Sequence, residues 1–317
     1  MKAGRVLVVG SLNADLTVHS ERFPRPGETL SGSEAVTSPG GKSANQAAAA
    51  AILGSQVALL GAVGQDAHGD LLLAAARGAG VNVDGVLRRP DAATGTAMIV
   101  VDAAGENTII VSAGANGTLR PEDLELGRFS GAAVVCLSLE IPLETVQAAA
   151  LAGHRAGAQV LLNLSPYREV PDELLALTDV LLANTHEAAL LAGVAEPAAD
   201  WELALQRFAG RGITRAVVTL GGDGAVVLDR SADGQGQNAH AGIPDGGSDR
   251  IRRIAPAPAE VVDTTGCGDA FTAGIAHRLA SGSTLVEAAA FAAKAGARAA
   301  TRPGAQSSYD VLRSLRG

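Results

Sequence analysis

The chain has 317 residues, 47% of them hydrophobic but only 3% aromatic, so one large α/β domain or two smaller ones must pack on Ala, Val and Leu. Thirty-three acids against twenty-five bases leave a net charge of −8 with no Lys/Arg block, which argues against nucleic acid or an anionic membrane as the main partner. Two cysteines, Cys136 in an apolar run and Cys267 in a glycine loop, suit a reducing cytoplasm rather than a disulfide framework. The first ten residues lack a cleavable signal layout.

In chain order, a strand at 5–9 leads into Ser11-Leu12-Asn13-Ala14-Asp15. Pro39-Gly40-Gly41-Lys42-Ser43-Ala44-Asn45-Gln46 then opens a helix at 44–53. The longest uncharged run, 43–65, holds Asn45, Gln46 and the break Gly54-Ser55-Gln56. It therefore reads as a buried Ala-rich helix followed by a strand at 57–62, and not as a membrane span. A helix at 69–79 comes next. Strands at 133–137, 160–163, 180–182, 216–219 and 225–228 follow, with helices at 143–156, 201–211, 269–280 and 285–299. This alternation predicts an α/β fold with a mostly parallel sheet flanked by helices on both faces, and ligands at the carboxyl ends of its strands. Two segments, 14–39 and 94–112, carry short alternating runs such as Thr108-Ile109-Ile110-Val111. They predict antiparallel strands in a second, smaller sheet. The stretch 229–260 is rich in Gly, Asp, Pro and Ala, and reads as a mobile surface insertion. No internal repeat is present, so 1–317 reads as a single domain.

The stretch Val262-Asp263-Thr264-Thr265-Gly266-Cys267-Gly268-Asp269 carries the strongest chemical signal. Glycines running into a helix leave free N–H groups at its positive end, a site for an anion such as phosphate. Asp269, in the first turn, either complements the dipole or acts as a base; the stretch alone leaves both open. It is not a dinucleotide fingerprint, which needs glycine where Phe271 stands. Nor is Gly41-Lys42-Ser43 a P-loop, which needs glycine at Val36.

Taken with Phe23-Pro24-Arg25-Pro26-Gly27-Glu28-Thr29, Ala113-Gly114-Ala115-Asn116, Leu139-Glu140, Asn184-Thr185-His186-Glu187, Thr219-Leu220-Gly221-Gly222-Asp223-Gly224 and Gly304-Ala305-Gln306, these motifs run in order along the chain. Together they resemble the ribokinase (PfkB-type) family of carbohydrate and nucleoside kinases over essentially its whole length. The resemblance implies a β lid formed by 14–39 and 94–112, and ATP-dependent phosphorylation of a small sugar, ribose first. It implies Asp269 as the base and the N–H groups of Gly266, Cys267 and Gly268 as an anion hole. For sugar binding it implies Asn13, Asp15, Gly40, Gly41, Lys42, Asn45 and Glu140. Ser43 departs from the family's usual glycine, which bears on the shape of the sugar pocket. ATP and Mg²⁺ are implied at Asn184, Glu187, Thr219, Gly221 and Gly224. A K⁺ site is implied at Asp263, Thr265, Ala299, Arg302, Gly304 and Ser308, and a homodimer through the lid. For some of these residues a structural use stays open: turn formation for Asn13 and Asp15, a solvated loop for Glu140, and a helix N-terminal acid for Glu187.

Overall fold

The computed structural model describes residues 4–230 and 250–316. Its main sheet is built from strands that are apolar on both sides: β1 (Arg5–Val9), β4 (Val57–Gly64), β8 (Ala132–Leu137), β9 (Gln159–Asn163), β10 (Val180–Asn184) and β11 (Arg215–Thr219). Runs like these are stable only when both faces are covered. Val6 and Val8 point into a core with α1 (Lys42–Leu53), α7 (Cys267–Ala280) and α8 (Leu285–Ala299). Leu7 and Val9 point the other way, into a core with α3 (Leu143–Arg155) and α6 (Trp201–Gly210). The low aromatic content is met by close helix contact: a Cβ on Gly274 of α7 would lie 2.8 Å from the Ala292 Cα of α8.

Among the described residues the order is β13-β12-β11-β10-β9-β8-β1-β4-β5. All neighbours pair in parallel except the antiparallel edge of β11 with β12 (Ala225–Asp229) and β13 (Ile251–Ile254). The expected doubly covered, mostly parallel sheet is therefore present. Two differences stand out. Strand β5 (Asn82–Arg89), half exposed at the sheet edge, had too little apolar patterning to be read as a strand. The stretch expected to be an insertion over 229–260 contains β13, which satisfies the outer edge of β12; residues 231–249 lie outside the described residues.

The second sheet has the order β3-β2-β6-β7, from β2 (Asn13–His19), β3 (Val36–Gly40), β6 (Gly95–Val101) and β7 (Asn107–Ser112). It occupies the two segments that broke the α/β alternation. It is not wholly antiparallel, because β2 and β6 pair in parallel. Alternation cannot distinguish strand direction; only the long route of chain between the two segments does.

Candidate active site

The loops after β1, β8, β10 and β11 lie at the carboxyl ends of the sheet, and the described site grows from them. Leaving β1, the chain crosses directly into β2, so Asn13 and Asp15 stand where the two sheets meet. Asn13 is 3% exposed, and its Oδ1 accepts a hydrogen bond at 2.8 Å from the Asn116 Nδ2. Asn116 also brackets Leu12, receiving its N–H and donating to its carbonyl, both at 3.0 Å. In the sequence Asn116 is only part of a motif; its burial and its three bonds show that it fixes the Asn13 amide.

Asp15 lies against Gly40 of β3. A Cβ at Gly40 would come within 2.0 Å of the Asp15 Oδ2, so the side chain sits where only glycine leaves room. Burial, then Glu140 and Asp269, push the Asp15 carboxyl up to about 7. Glu140, after β8, accepts from the Ser11 hydroxyl and, at 3.0 Å, from the Lys42 N–H. Glu140 is thus tied to the β1 loop and the start of α1, and is not a solvated loop group. Ser43 is fully buried: its hydroxyl pairs with Ser138 at 2.8 Å and fills the space that Gly10 leaves open. The serine that replaces the family's glycine is therefore absorbed by the core.

Helix α7 begins at Gly266 with φ 73°, a left-handed conformation that glycine adopts freely. Space gives the same answer: a Cβ there would lie 2.6 Å from the Tyr309 hydroxyl, which donates to the Gly266 carbonyl at 2.9 Å. By contrast a Cβ on Gly268 would meet nothing within 4 Å. Helices α2 (Ala67–Gly78), α5 (Thr185–Ala192), α6 and α8 open on a capping side chain; α7, like α1 and α3, has none from its N-cap residue. The Cys267 N–H donates to the Thr264 carbonyl at 3.2 Å, so the loop itself uses this member of the expected anion hole. Gly266 and Gly268 keep N–H groups without a protein acceptor among the described residues. The Cys267 thiol is pushed up to about 11 by burial, then by Asp263 and Asp269, and is no nucleophile at neutral pH.

Asp269 is buried at 7% exposure where α1 and α7 cross. The Asn45 Nδ2 donates to its Oδ2 at 2.9 Å, and the Gln46 Nε2 to its Oδ1 at 3.1 Å. Burial raises its pKa; Lys42, Asn45 and Gln46 oppose this, and Glu140 adds to it. A dipole-complementing surface acid would show none of this. In the sequence Gln46 is only one letter of a motif; the crossing of α1 and α7 gives it a partner.

On the other side, Asn184 ends β10 directly opposite Thr219 of β11. Glu140 follows β8, and Asn184 ends β10, which lies two strands away in the sheet. Asn184 and Glu187 form a reciprocal cap of α5: the Glu187 N–H donates to the Asn184 Oδ1 at 2.8 Å, and the Asn184 N–H to the Glu187 Oε2 at 2.9 Å. The structural use expected for Glu187 is thus real, and it leaves Oε1 outside the cap. Gly221 and Gly224 hold the turn between β11 and β12 with φ 59° and 90°.

The residues implied for K⁺ are also drawn together. The Asp263 carboxylate accepts from the Thr265 N–H at 2.8 Å and the Gly304 N–H at 2.7 Å, tying the α7 loop to the segment after α8. Burial pushes Asp263 up, but these N–H groups outweigh it and hold the carboxyl below its usual range. The Ala299 carbonyl takes one long bond, 3.3 Å, from the Arg302 N–H. The Ser308 hydroxyl is buried and donates to the Ala305 carbonyl at 2.7 Å. Among the described residues no group of three or more His, Cys, Asp or Glu side chains is set to hold a metal ion.

A mostly parallel sheet whose carboxyl-end loops gather the buried Asn13 and Asp269 and the half-buried Asp15 and Glu140 beside a glycine helix start has the architecture of an α/β enzyme. The chain belongs to the pfkB family of carbohydrate kinases, whose model matches residues 3–312. It is 34% identical to a ribokinase of Schizosaccharomyces pombe over 98% of this chain and 96% of that protein. It is 32% identical to a deoxyribokinase of Salmonella typhi over 97% and 96%. The structure is similar to that of an Arabidopsis thaliana ribokinase complexed with ribose and ATP, with a TM-score of 0.87, 33% identity and 99% of each chain covered.

Proposed function

We propose that this carbohydrate kinase transfers the γ-phosphoryl group of ATP to the 5-hydroxyl of D-ribose, giving ribose 5-phosphate and ADP. One observation carries the reading: a buried Asp269 lies within electrostatic reach of Asp15 and Glu140 and next to the N–H groups of Gly266 and Gly268, which have no protein acceptor among the described residues. In the transfer the sugar oxygen bonds to phosphorus, the bond to the leaving oxygen breaks with its electron pair staying on ADP, and the hydroxyl proton passes to the Asp269 carboxylate. A carboxyl held above its ordinary range accepts that proton more readily at neutral pH. In a loose transition state the proton leaves late, so no stronger base is needed. The Gly266 and Gly268 N–H groups take the charge that develops on the phosphoryl oxygens.

Asn184 and Glu187 would hold Mg²⁺ through water, Glu187 by the oxygen outside its cap, and the ion supplies phosphate charge neutralisation. Asp263, Thr265, Ala299, Arg302, Gly304 and Ser308 would hold K⁺ beside the α7 loop. Two free thiols, Cys136 buried, suit a cytoplasmic setting.

We further propose a homodimer through the lid. Residues directly opposite in the lid sheet share a face, so Leu16, Met98 and Ile110 form one face, and Asp15, Ala97 and Val111 form the sugar side. On the first face Met98 is 55% and Ile110 66% exposed, an apolar patch that suits a second copy of itself.

A panel of ribose, 2-deoxyribose, fructose, 2-keto-3-deoxygluconate and adenosine with ATP-Mg²⁺, read as ADP release, tests the reading. Ribose is expected to give the highest kcat/KM. A tenfold preference for another acceptor, 2-deoxyribose included, rejects ribose as the substrate; no turnover with any acceptor favours a catalytically silent sugar-binding protein.

A further inference from the structure

The two oxygens of Asp269 are held by consecutive side chains of α1, Asn45 and Gln46. Consecutive helix positions diverge by about 100°, so the two amides grip the carboxylate from different directions. The Asn45 amide is itself oriented, because its Oδ1 accepts from the Gln306 Nε2 at 3.1 Å and so turns Nδ2 toward Asp269. Gln46 has no such support. It is 1% exposed, its Oε1 is buried without a hydrogen-bond partner among the described residues, and its one side-chain hydrogen bond goes to Asp269. An orphaned buried carbonyl costs stability, so an apolar side chain of equal length would suit the fold better. The glutamine is explained by what its other end does.

We propose that Gln46 is a positioning residue for Asp269: its amide donor holds the carboxylate ionised and aimed at the sugar hydroxyl, while Gln306, acting through Asn45, fixes the second oxygen. This rests on the reading of Asp269 as the base. The charged and titratable groups around Asp269 are Lys42, Glu140, Asp15, Cys267 and Tyr309. Lys42 favours the carboxylate; Glu140 and Asp15 oppose it. Cys267 and Tyr309 are raised far enough to stay neutral through the working range. Burial is the main force against the carboxylate, and the two amide donors add to Lys42 in opposing that force.

The variant Gln46→Met keeps the length and removes both the donor and the orphaned carbonyl. In the full chain, the carboxyl ¹³C resonance of Asp269, assigned by its loss in Asp269→Asn, is expected to titrate about one pH unit higher in Q46M than in the parent. The acid limb of kcat against pH should move with it, while the thermal midpoint holds or rises. Gln306→Leu should move both in the same direction by less. An unmoved Asp269 titration in Q46M overturns the proposal, and so does a Q46M protein that fails to fold, since that marks Gln46 as structural. If the parent phosphorylates no sugar, the functional reading fails instead, and the carboxyl titration still reports on the clamp.

Discussion

Asp15, Glu140 and Asp269 bring three acids within reach of one another with Lys42 as a counter-charge, and the protein bears an electrostatic cost for it. For Asp15 the sign is clear. Its carboxyl rises from 3.8 unfolded to about 7 folded, so the folded state binds the proton more tightly. The stability it contributes is fully present below about pH 4 and is lost as pH rises through about 7. Ligand-free Asp15→Asn should therefore lack the parent's decline between pH 4 and 7, and should melt higher near pH 8 by on the order of a few degrees. Thermal midpoints of both proteins across that range decide it, and parallel curves would reject the raised Asp15. Asp269→Asn keeps shape and removes the proton acceptor; the Gln46 amide, with its carbonyl unpaired, can turn to meet the new N–H group. We expect kcat to fall by roughly 10² to 10⁴, with KM for ribose changed far less. Turnover within threefold of the parent would rule out Asp269 as the base.

At the scale of the element, α1 and α7 both start on glycine but use their N-termini differently. In α1 the N–H groups of Lys42, Ser43 and Ala44 are taken by Glu140 and Ser11, so that end anchors the helix. In α7 the first turn stays open above Gly268. Gly268→Ala should then fold as well as the parent or better, since alanine favours a helix over glycine by about 1 kcal/mol. Its methyl nevertheless fills the space an anion needs, so kcat/KM for ATP should drop about tenfold or more. Gly266→Ala meets the Tyr309 hydroxyl and a left-handed backbone, and should lose stability by at least about 2 kcal/mol. Melting and kinetics on the pair separate a phosphate seat from a plain helix start: equal activity in Gly268→Ala would remove the anion hole. The Asp263 bridge predicts a second effect. Replacing K⁺ by a large organic cation at constant ionic strength should slow turnover, and unchanged rates in K⁺-free buffer would exclude a cation there.

For the whole molecule, the lid face of Met98 and Ile110 predicts its own partner. Ile110→Glu should convert a dimer to a monomer by native mass, and a parent that is already monomeric would refute the lid interface. The sequence alone determined the sheet, because apolar β-branched runs alternating with Ala-rich helices can be buried only between two helical layers. It also determined which loops carry chemistry, because glycines beside Asp, Asn and Lys mark close backbone approach and polar ligands. Legibility failed where pattern and cause separate. Strand β5 is half exposed, so its alternation is weak; β13 sits in a Gly- and Pro-rich stretch and is a strand because β12 needs a partner. The parallel pairing of β2 with β6 joins residues some eighty positions apart, beyond any local signal. In the site, the first turn of α7 could be read from its own letters. The partners of Asp269 could not: Asn45 and Gln46 lie more than two hundred residues away, and only the crossing of α1 over α7 turns two adjacent amides into a clamp on one acid. A hydrogen bond needs a distance and an angle, and for residues so far apart in the chain the packing of the core sets both.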